Sequence, residues 1–600
     1  MRRRAVSDPR LRALIGVLAP SLCVLLLLLV GVAAGQYWRY VLSLIITAIV
    51  VGSALAMLVG FARCISLATG AMMALGAYGS TLLVVGLGLP WPVALLGGVL
   101  LGALGGFVLG LPSVRFRSHN LAMVTLVFQA VVIIVLREWR SLTNGAEGIN
   151  VPPPNIFGLR IATDLDYLIL IACCGALAVL LVAVLLRGPF GRNLKALAAN
   201  EVGSRAFGIS IEAHLVAVFT ISSAVIALAG GISAPRFRII DPDSYGLHAS
   251  ILALAYPIVG GAGSIWGGIV GGGTMRLLPE LLRPVADYME LVLAGIILAS
   301  VIFMPQGLIG LFQGLRRSRP APVAPAAVTD TELPPATNAD ATQGPALVVE
   351  DVSKAYGALR AVDRVSFIVP RGSICGIMGP NGAGKTTLFN AISGFIVPDA
   401  GRVSLFGAPL LGAPAHARLG MGIARTFQQV AIFPTLSCRD NVALGLGRNA
   451  IARSLLDCFD AALDGAATRE ARQRADAALA AVGLAGFGTV PAGALSLGDQ
   501  RRLEIARAIV SRPPVILLDE PVSGVAHEEA EGIAALLRRI NRESGITMLI
   551  VEHNIGFLVD LCDHLVAMAQ GSVVAAGPPH EVVRADTVRR AYFGEAGANP

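Results

Sequence analysis

What most constrains this chain is a run of apolar stretches, each about 20 residues long, that fills its first half. They lie near residues 13–34, 40–60, 66–88, 91–111, 119–137, 166–186, 213–234, 247–264, 265–283 and 287–305. A helix of about 20 residues spans the hydrocarbon core of a bilayer, so about ten such segments predict an all-α polytopic membrane domain with lipid as its solvent. The opening MRRR followed by LCVLLLLLVGVAAG has the charge pattern of a secretory signal, but its apolar run is long and more spans follow. A retained first helix is therefore expected.

Composition agrees and excludes other classes. The 600 residues are 55% hydrophobic and 14% charged, and the mean hydropathy is +0.71. Such a chain is not a disordered, collagen-like or disulfide-stapled secreted protein. Residues 1–345 hold 23 Lys+Arg against 15 Asp+Glu, and residues 346–600 hold 24 of each, so the net +8 sits in the first half. A nucleic-acid binder would carry its basic face on the soluble part. No nucleic acid is expected as a partner. With the N-terminus inside and ten crossings, 15 of the 23 basic residues face the inner side, which satisfies the positive-inside rule and leaves the second half in the cytoplasm. The eight cysteines include no CxxC pair and are expected to be reduced.

Within the spans, Gly98, Gly102, Gly106 and Gly110 fall on one helix face, as do Gly267, Gly268, Gly271 and Gly272, and both sets predict close helix packing. Acidic residues are nearly absent from the span cores, which argues against a proton relay. Outer loops offer scattered polar residues, among them Asn144, Glu147, Asp241 and Asp243, read as solvated. Between the sixth and seventh spans, RGPFGRNLKALAANEVGSRAFGIS predicts a short cytoplasmic helix. Residues 316–345 contain six prolines and no aromatic residue, as in an extended tether. The expected division is thus 1–315 membrane domain, 316–345 linker and 346–600 soluble domain.

The soluble part opens its chemistry with GPNGAGKT, which comprises Gly379, Pro380, Asn381, Gly382, Ala383, Gly384, Lys385 and Thr386, with Thr387 next, after a strand-like run at 373–378. Glycines let backbone N–H groups curl around a polyphosphate, Lys385 reaches the terminal phosphates, and Thr386 can ligate Mg²⁺. Only three lysines occur in the chain, so one inside this motif carries weight. About 140 residues later VILLDEP places Asp519, suited to the magnesium shell, and Glu520, suited to polarising water, at the end of an apolar strand. A second apolar strand ends in TMLIVEH, with His553 placed to contact a γ-phosphate.

Together these motifs resemble the ATP-binding cassette (ABC) ATPases, an α/β P-loop fold with a helical subdomain. LSLGDQRRLEIARAI looks like that family's signature segment, and the resemblance implies that Ser496 and Gly498 grip a nucleotide held by an opposing ATPase. It also implies that Gln428 in ARTFQQ senses magnesium and that Tyr356 stacks on adenine. More narrowly, RTFQ, VEHN and RRAYFGEA are similar to the ATPase subunit of branched-chain amino acid importers. SLATGAMMALGAYGS, SLTNGAEGI before VPPP, the GPFGR to AFGI loop and GGAGSIWGG, between about 38 and 315, are similar to a permease of that system.

The resemblance implies an ATP hydrolase with ATP and Mg²⁺ as cofactors, Glu520, His553 and Lys385 as its catalytic set, and Thr386, Gln428 and Asp519 around the metal. It also implies a second permease and a second ATPase, or a second copy of this chain, with an external solute-binding protein, at a bacterial inner membrane. Leu497, Asp499 and Ala526 depart from the family pattern in the half-site offered to a partner. A homodimeric exporter and a membrane-anchored regulatory ATPase are the alternative functions.

Overall fold

The computed structural model describes residues 9–116, 119–304, 306–316, 344–447 and 449–593. The expected tether falls almost wholly outside the described residues, as do the N-terminal arginines 2–4 and the end of RRAYFGEA. The chain forms two compact units. One comprises residues up to Ala198, Ile211–Arg319 and Ser454–Ala466; the other comprises Ala199–Ser210, Pro320–Arg453 and Ala467 onward.

The first unit is helical. Its principal helices are α1 (Pro9–Ala33), α2 (Gln36–Leu55, continued by a π-helical turn Ala56–Phe61), α3 (Thr69–Leu87), α4 (Trp91–Ser113), α5 (His119–Glu138), α6 (Asp164–Arg187), α7 (Ile211–Phe237), α8 (Leu247–Gly260), α9 (Ile265–Leu281) and α10 (Met289–Phe303). Every apolar stretch in the sequence is a helix. Among the described residues, however, seven helices, α1 to α7, are long and apolar enough to cross a membrane, against the expected ten. The last three are only 14, 17 and 15 residues long. The physical reason is local: α8 ends at Gly261, whose φ of +115° suits glycine, and Ser264 caps the start of α9 through the Trp266 N–H.

The glycine faces act as expected. On α4, a Cβ at Gly102 would strike the Cβ of Ala227 on α7, and one at Gly106 would lie 2.5 Å from that of Ser223. Gly268 and Gly272 of α9 meet backbone carbonyls of α2 in the same way. Helix ends inside an apolar unit need partners for their N–H groups. At α3, Ser250 Oγ accepts from the Gly70 N–H at 2.8 Å and Gln129 Oε1 from the Ala71 N–H at 2.5 Å, while Gln129 Nε2 donates to the Tyr245 carbonyl at 2.7 Å. The helix Ile451–Ala462 contributes Ser454 to this unit, where Asn193 Nδ2 donates to its hydroxyl at 3.0 Å.

In the second unit, β1 (Leu347–Tyr356), β2 (Leu359–Val369) and β4 (Ala400–Leu405) form an antiparallel sheet ordered β2-β1-β4, extended by Ala408–Pro409. The main sheet runs β5 (Ile423–Arg425), β6 (Val515–Asp519), β7 (Thr547–Val551), β3 (Ile374–Met378), β8 (His564–Ala569) and β9 (Ser572–Gly577), parallel except for β9. Its central strands are buried on both faces, which explains their unbroken apolar sequences. Leu517 and Leu549 enter one core cluster, and their neighbours Leu518 and Ile550 the other. Four helices, Cys438–Leu444, Ile451–Ala462, Ala466–Ala481 and Leu497–Ile509, lie between β5 and β6 in sequence.

Candidate nucleotide site

The loop Gly379–Gly384 runs from buried β3 into the helix α11 (Lys385–Ile392). That helix has no side-chain cap; its N-cap is Gly384 at φ +93°, where a Cβ would collide with the Ala361 carbonyl. Its leading N–H groups are therefore left for an external acceptor such as phosphate. Gly382, at φ +82°, has open space where a side chain would stand. Lys385 is buried, and its Nζ donates to the Gly379 and Pro380 carbonyls at 2.6 and 3.0 Å. Burial lowers its pKa, while Glu520 and Asp519 pull it back up. Thr386 and Thr387 occupy the first turn of the helix.

Thr386, Gln428 and Asp519 line one cavity of about 400 Å³ together with Asn390, Arg425 and Gly203. Asp519 closes β6, and β7 stands between it and β3, so the two motifs meet across an intervening strand. Its carboxylate pairs with Arg425 at 3.0 Å. Burial raises its pKa and Arg425 opposes that rise. Arg425 is itself stacked among Phe389, Phe395 and Phe427, at 5.0 to 5.2 Å from each ring. Glu520 follows in a left-handed conformation, φ +47°, rare for a residue with a side chain. That turn aims its Oε2 to 3.2 Å from His553 Nε2. The buried Glu552 fixes the His553 turn, accepting from the N–H groups of His553 at 2.9 Å and Val522 at 3.3 Å.

Other expected site residues stand apart. Tyr356 is half-exposed at the end of β1, with Lys354 Nζ 5.8 Å from its ring centroid. Neither it nor Ser496 nor Gly498 lines the cavity around Thr386. Ser496 caps α12 (Leu497–Ile509): its Oγ accepts from the Asp499 N–H at 3.1 Å and donates to the Asp499 carboxylate at 2.9 Å. The unexpected acid is thus tied to the serine it follows. A Cβ at Gly498 would lie 2.7 Å from the Glu529 carboxylate. Ala526 sits at the N-cap of α13 (His527–Ser544) and supplies no capping hydrogen bond.

Sequence reading missed a buried relay on α12. Arg501 donates to the carbonyls of Phe427 at 2.9 Å and Gln428 at 2.7 Å and pairs with Glu504 at 3.2 Å. Glu504 accepts from the Ala431 N–H at 2.8 Å and lies 3.6 Å from Arg507. Arg507, whose pKa burial pulls down to about 10, stacks 4.2 Å from the Phe207 ring. Phe207 follows the short helix Glu201–Ala206, and its carbonyl accepts from Asn449 Nδ2 at 2.6 Å. The polar stretch expected to form one helix is in fact two, Pro189–Ala199 and Glu201–Ala206, and only the second belongs to this unit. The signal was GDQRRLEIARAI itself, in which Arg501, Glu504 and Arg507 recur at three-residue spacing.

A family model described as ABC transporter matches residues 362–523, and one described as branched-chain amino acid transport system, permease component, matches residues 37–302. The high-affinity branched-chain amino acid transport ATP-binding protein BraF of Pseudomonas aeruginosa is 35% identical over 252 residues, which is 42% of this chain and 99% of that protein. The chain belongs to the ABC transporters. It joins a branched-chain amino acid permease domain to an ABC ATPase domain, and it is an ATP-hydrolysing membrane protein. LivG of Escherichia coli K12, named for the same transport, is 33% identical over the same share of this ABC chain and 99% of its own. A nucleotide-free ATP-binding cassette of known structure matches 42% of the chain and 100% of its own length at 30% identity, with a TM-score of 0.37.

Proposed function

We propose that this ABC transporter chain drives uptake of branched-chain or other hydrophobic amino acids across the bacterial inner membrane, as the fused permease and ATPase of an importer. The observation that carries the reading is the joining, in one chain, of a permease domain of the branched-chain family to an ATPase whose relatives are named for that transport. In it, Lys385 and the loop Gly379–Gly384 hold the ATP phosphates, Glu520 orients the attacking water, and His553, poised on Glu520, contacts the γ-phosphate. The oxygens of Thr386, Gln428 and Asp519 share a cavity and suit a hard cation held partly by substrate phosphates, so Mg²⁺ fits there. Bound, it would neutralise charge on the transferred phosphoryl group.

Tyr356 flanks adenine, and Ser496 and Gly498 serve a nucleotide on an opposing ATPase. Residues 199–210 carry the ATPase's motion to the permease, through Phe207 on Arg507 and the Arg501–Glu504 pair behind it. The soluble part faces the cytoplasm, and an external binding protein delivers the solute. The decisive experiment is the subunit composition and native mass of the complex extracted gently from its own membrane. A second permease and a second ATPase are expected. A homodimer of this chain alone would favour the exporter reading instead.

A further inference from the structure

The membrane unit holds a cavity of about 430 Å³ with walls from α2, α7, α8 and α9, among them Leu44, Val51 and Leu252. Its size falls within the range of about 300–1,000 Å³ usual for small-molecule sites. Most of its lining is apolar, yet it contains one fixed cation, Arg276, and one carboxylate, Asp241. Arg276 stands on α9, partly buried, with Met275, Leu277 and Leu278 beside it in sequence. Its neighbour one turn on, Glu280, is already engaged by Arg283 at 3.0 Å and by the Tyr37 hydroxyl, and among the described residues Arg276 has no ion-pair partner.

Asp241 follows α7 on a loop that sequence reading treated as solvated. It is only partly exposed, and Ser244 locks its carboxylate, donating its N–H to Oδ1 at 2.9 Å and its hydroxyl to Oδ2 at 2.7 Å. Each oxygen keeps a lone pair for another donor. Among the described residues no cation pairs with it. A chamber with apolar walls, one unmatched cation and one unmatched anion fits a guest with both charges and an apolar body.

Resting on the importer reading, we propose that this cavity is where the permease holds its cargo, a zwitterionic amino acid with an apolar side chain, its carboxylate on Arg276 and its ammonium on Asp241. A carboxylate fits the planar guanidinium fork, and burying either head group unpaired is unfavourable, so both charges are needed for binding.

The test is equilibrium binding of radiolabelled leucine to the full-length chain in lipid nanodiscs. Unlabelled valine should compete; leucinamide, which lacks the carboxylate, and 4-methylpentanoate, which lacks the ammonium, should be at least tenfold poorer. These competitors use the unaltered protein, so the proposal stays testable if a variant misfolds. Arg276→Gln and Asp241→Asn should each weaken leucine binding at least tenfold, and Asp241→Glu should restore part of it. Equal competition by all three analogues, or unchanged leucine binding in both variants, would overturn the site while leaving amino acid transport standing. If vesicles bearing the unaltered transporter accumulate no amino acid at all, the importer reading fails and takes this site with it.

Discussion

Glu520 and His553 lie 3.2 Å apart because a left-handed turn at Glu520 lifts the carboxylate off the end of β6. A group held so can orient water, and its amide analogue cannot accept a proton; steady-state phosphate release by Glu520→Gln in the assembled transporter should fall about 100-fold or more with ATP still bound. An unchanged rate would remove Glu520 from the mechanism. Asp499 yields a second prediction. Its carboxylate accepts the Ser496 hydroxyl proton at 2.9 Å, so that hydroxyl is engaged before any phosphate arrives, and the acid adds negative charge nearby. Asp499→Gln should therefore lower KM for ATP by up to about tenfold, on the order of 1.4 kcal/mol. A raised KM would show that Asp499 assists the site. The phosphate loop, Asp519, Glu520 and His553 were legible from spacing, because each sits at the end of an apolar strand. Arg425 was not, since its work lies in contacts with Asp519 and three phenylalanines, most of them far away in sequence, nor was Glu552, whose carboxylate ties the His553 turn to the distant Val522.

At the scale of elements, α12 does two things: its N-terminus presents Ser496, and its body buries Arg501, Glu504 and Arg507. Burial pushes the Glu504 pKa up, and the two guanidinium groups pull it back. Removing one partner of such a cluster leaves charge buried without compensation, so Glu504→Ala should destabilise the ATPase by about 3–5 kcal/mol. Its thermal midpoint should drop on the order of 10 °C, as followed by scanning fluorimetry of the full chain. A drop near zero would mean that water already solvates the cluster. Helix periodicity revealed the glycine faces of α4 and α9, whereas the end of α8 and the start of α9 depended on a glycine turn and a serine cap that an apolarity window passes over. Nor could periodicity reveal that residues 199–210 belong to the second unit, because their contacts there, among them Phe207 with Arg507 and Asn449, are with residues far away in sequence.

For the whole molecule, apolar patterning announced the helical permease and motif spacing the ATPase, but cargo and direction have no motif. On the proposed reading the cargo is set by a cavity in which α2 and α3 meet the later helices α7, α8 and α9, a meeting that no local pattern displays. The direct measurement is ATP-dependent movement of radiolabelled leucine in right-side-out membrane vesicles loaded with ATP, with the external binding protein added. The account predicts accumulation above the outside concentration, lost in Glu520→Gln. Leucine driven outward, or accumulation indifferent to that substitution, would contradict it.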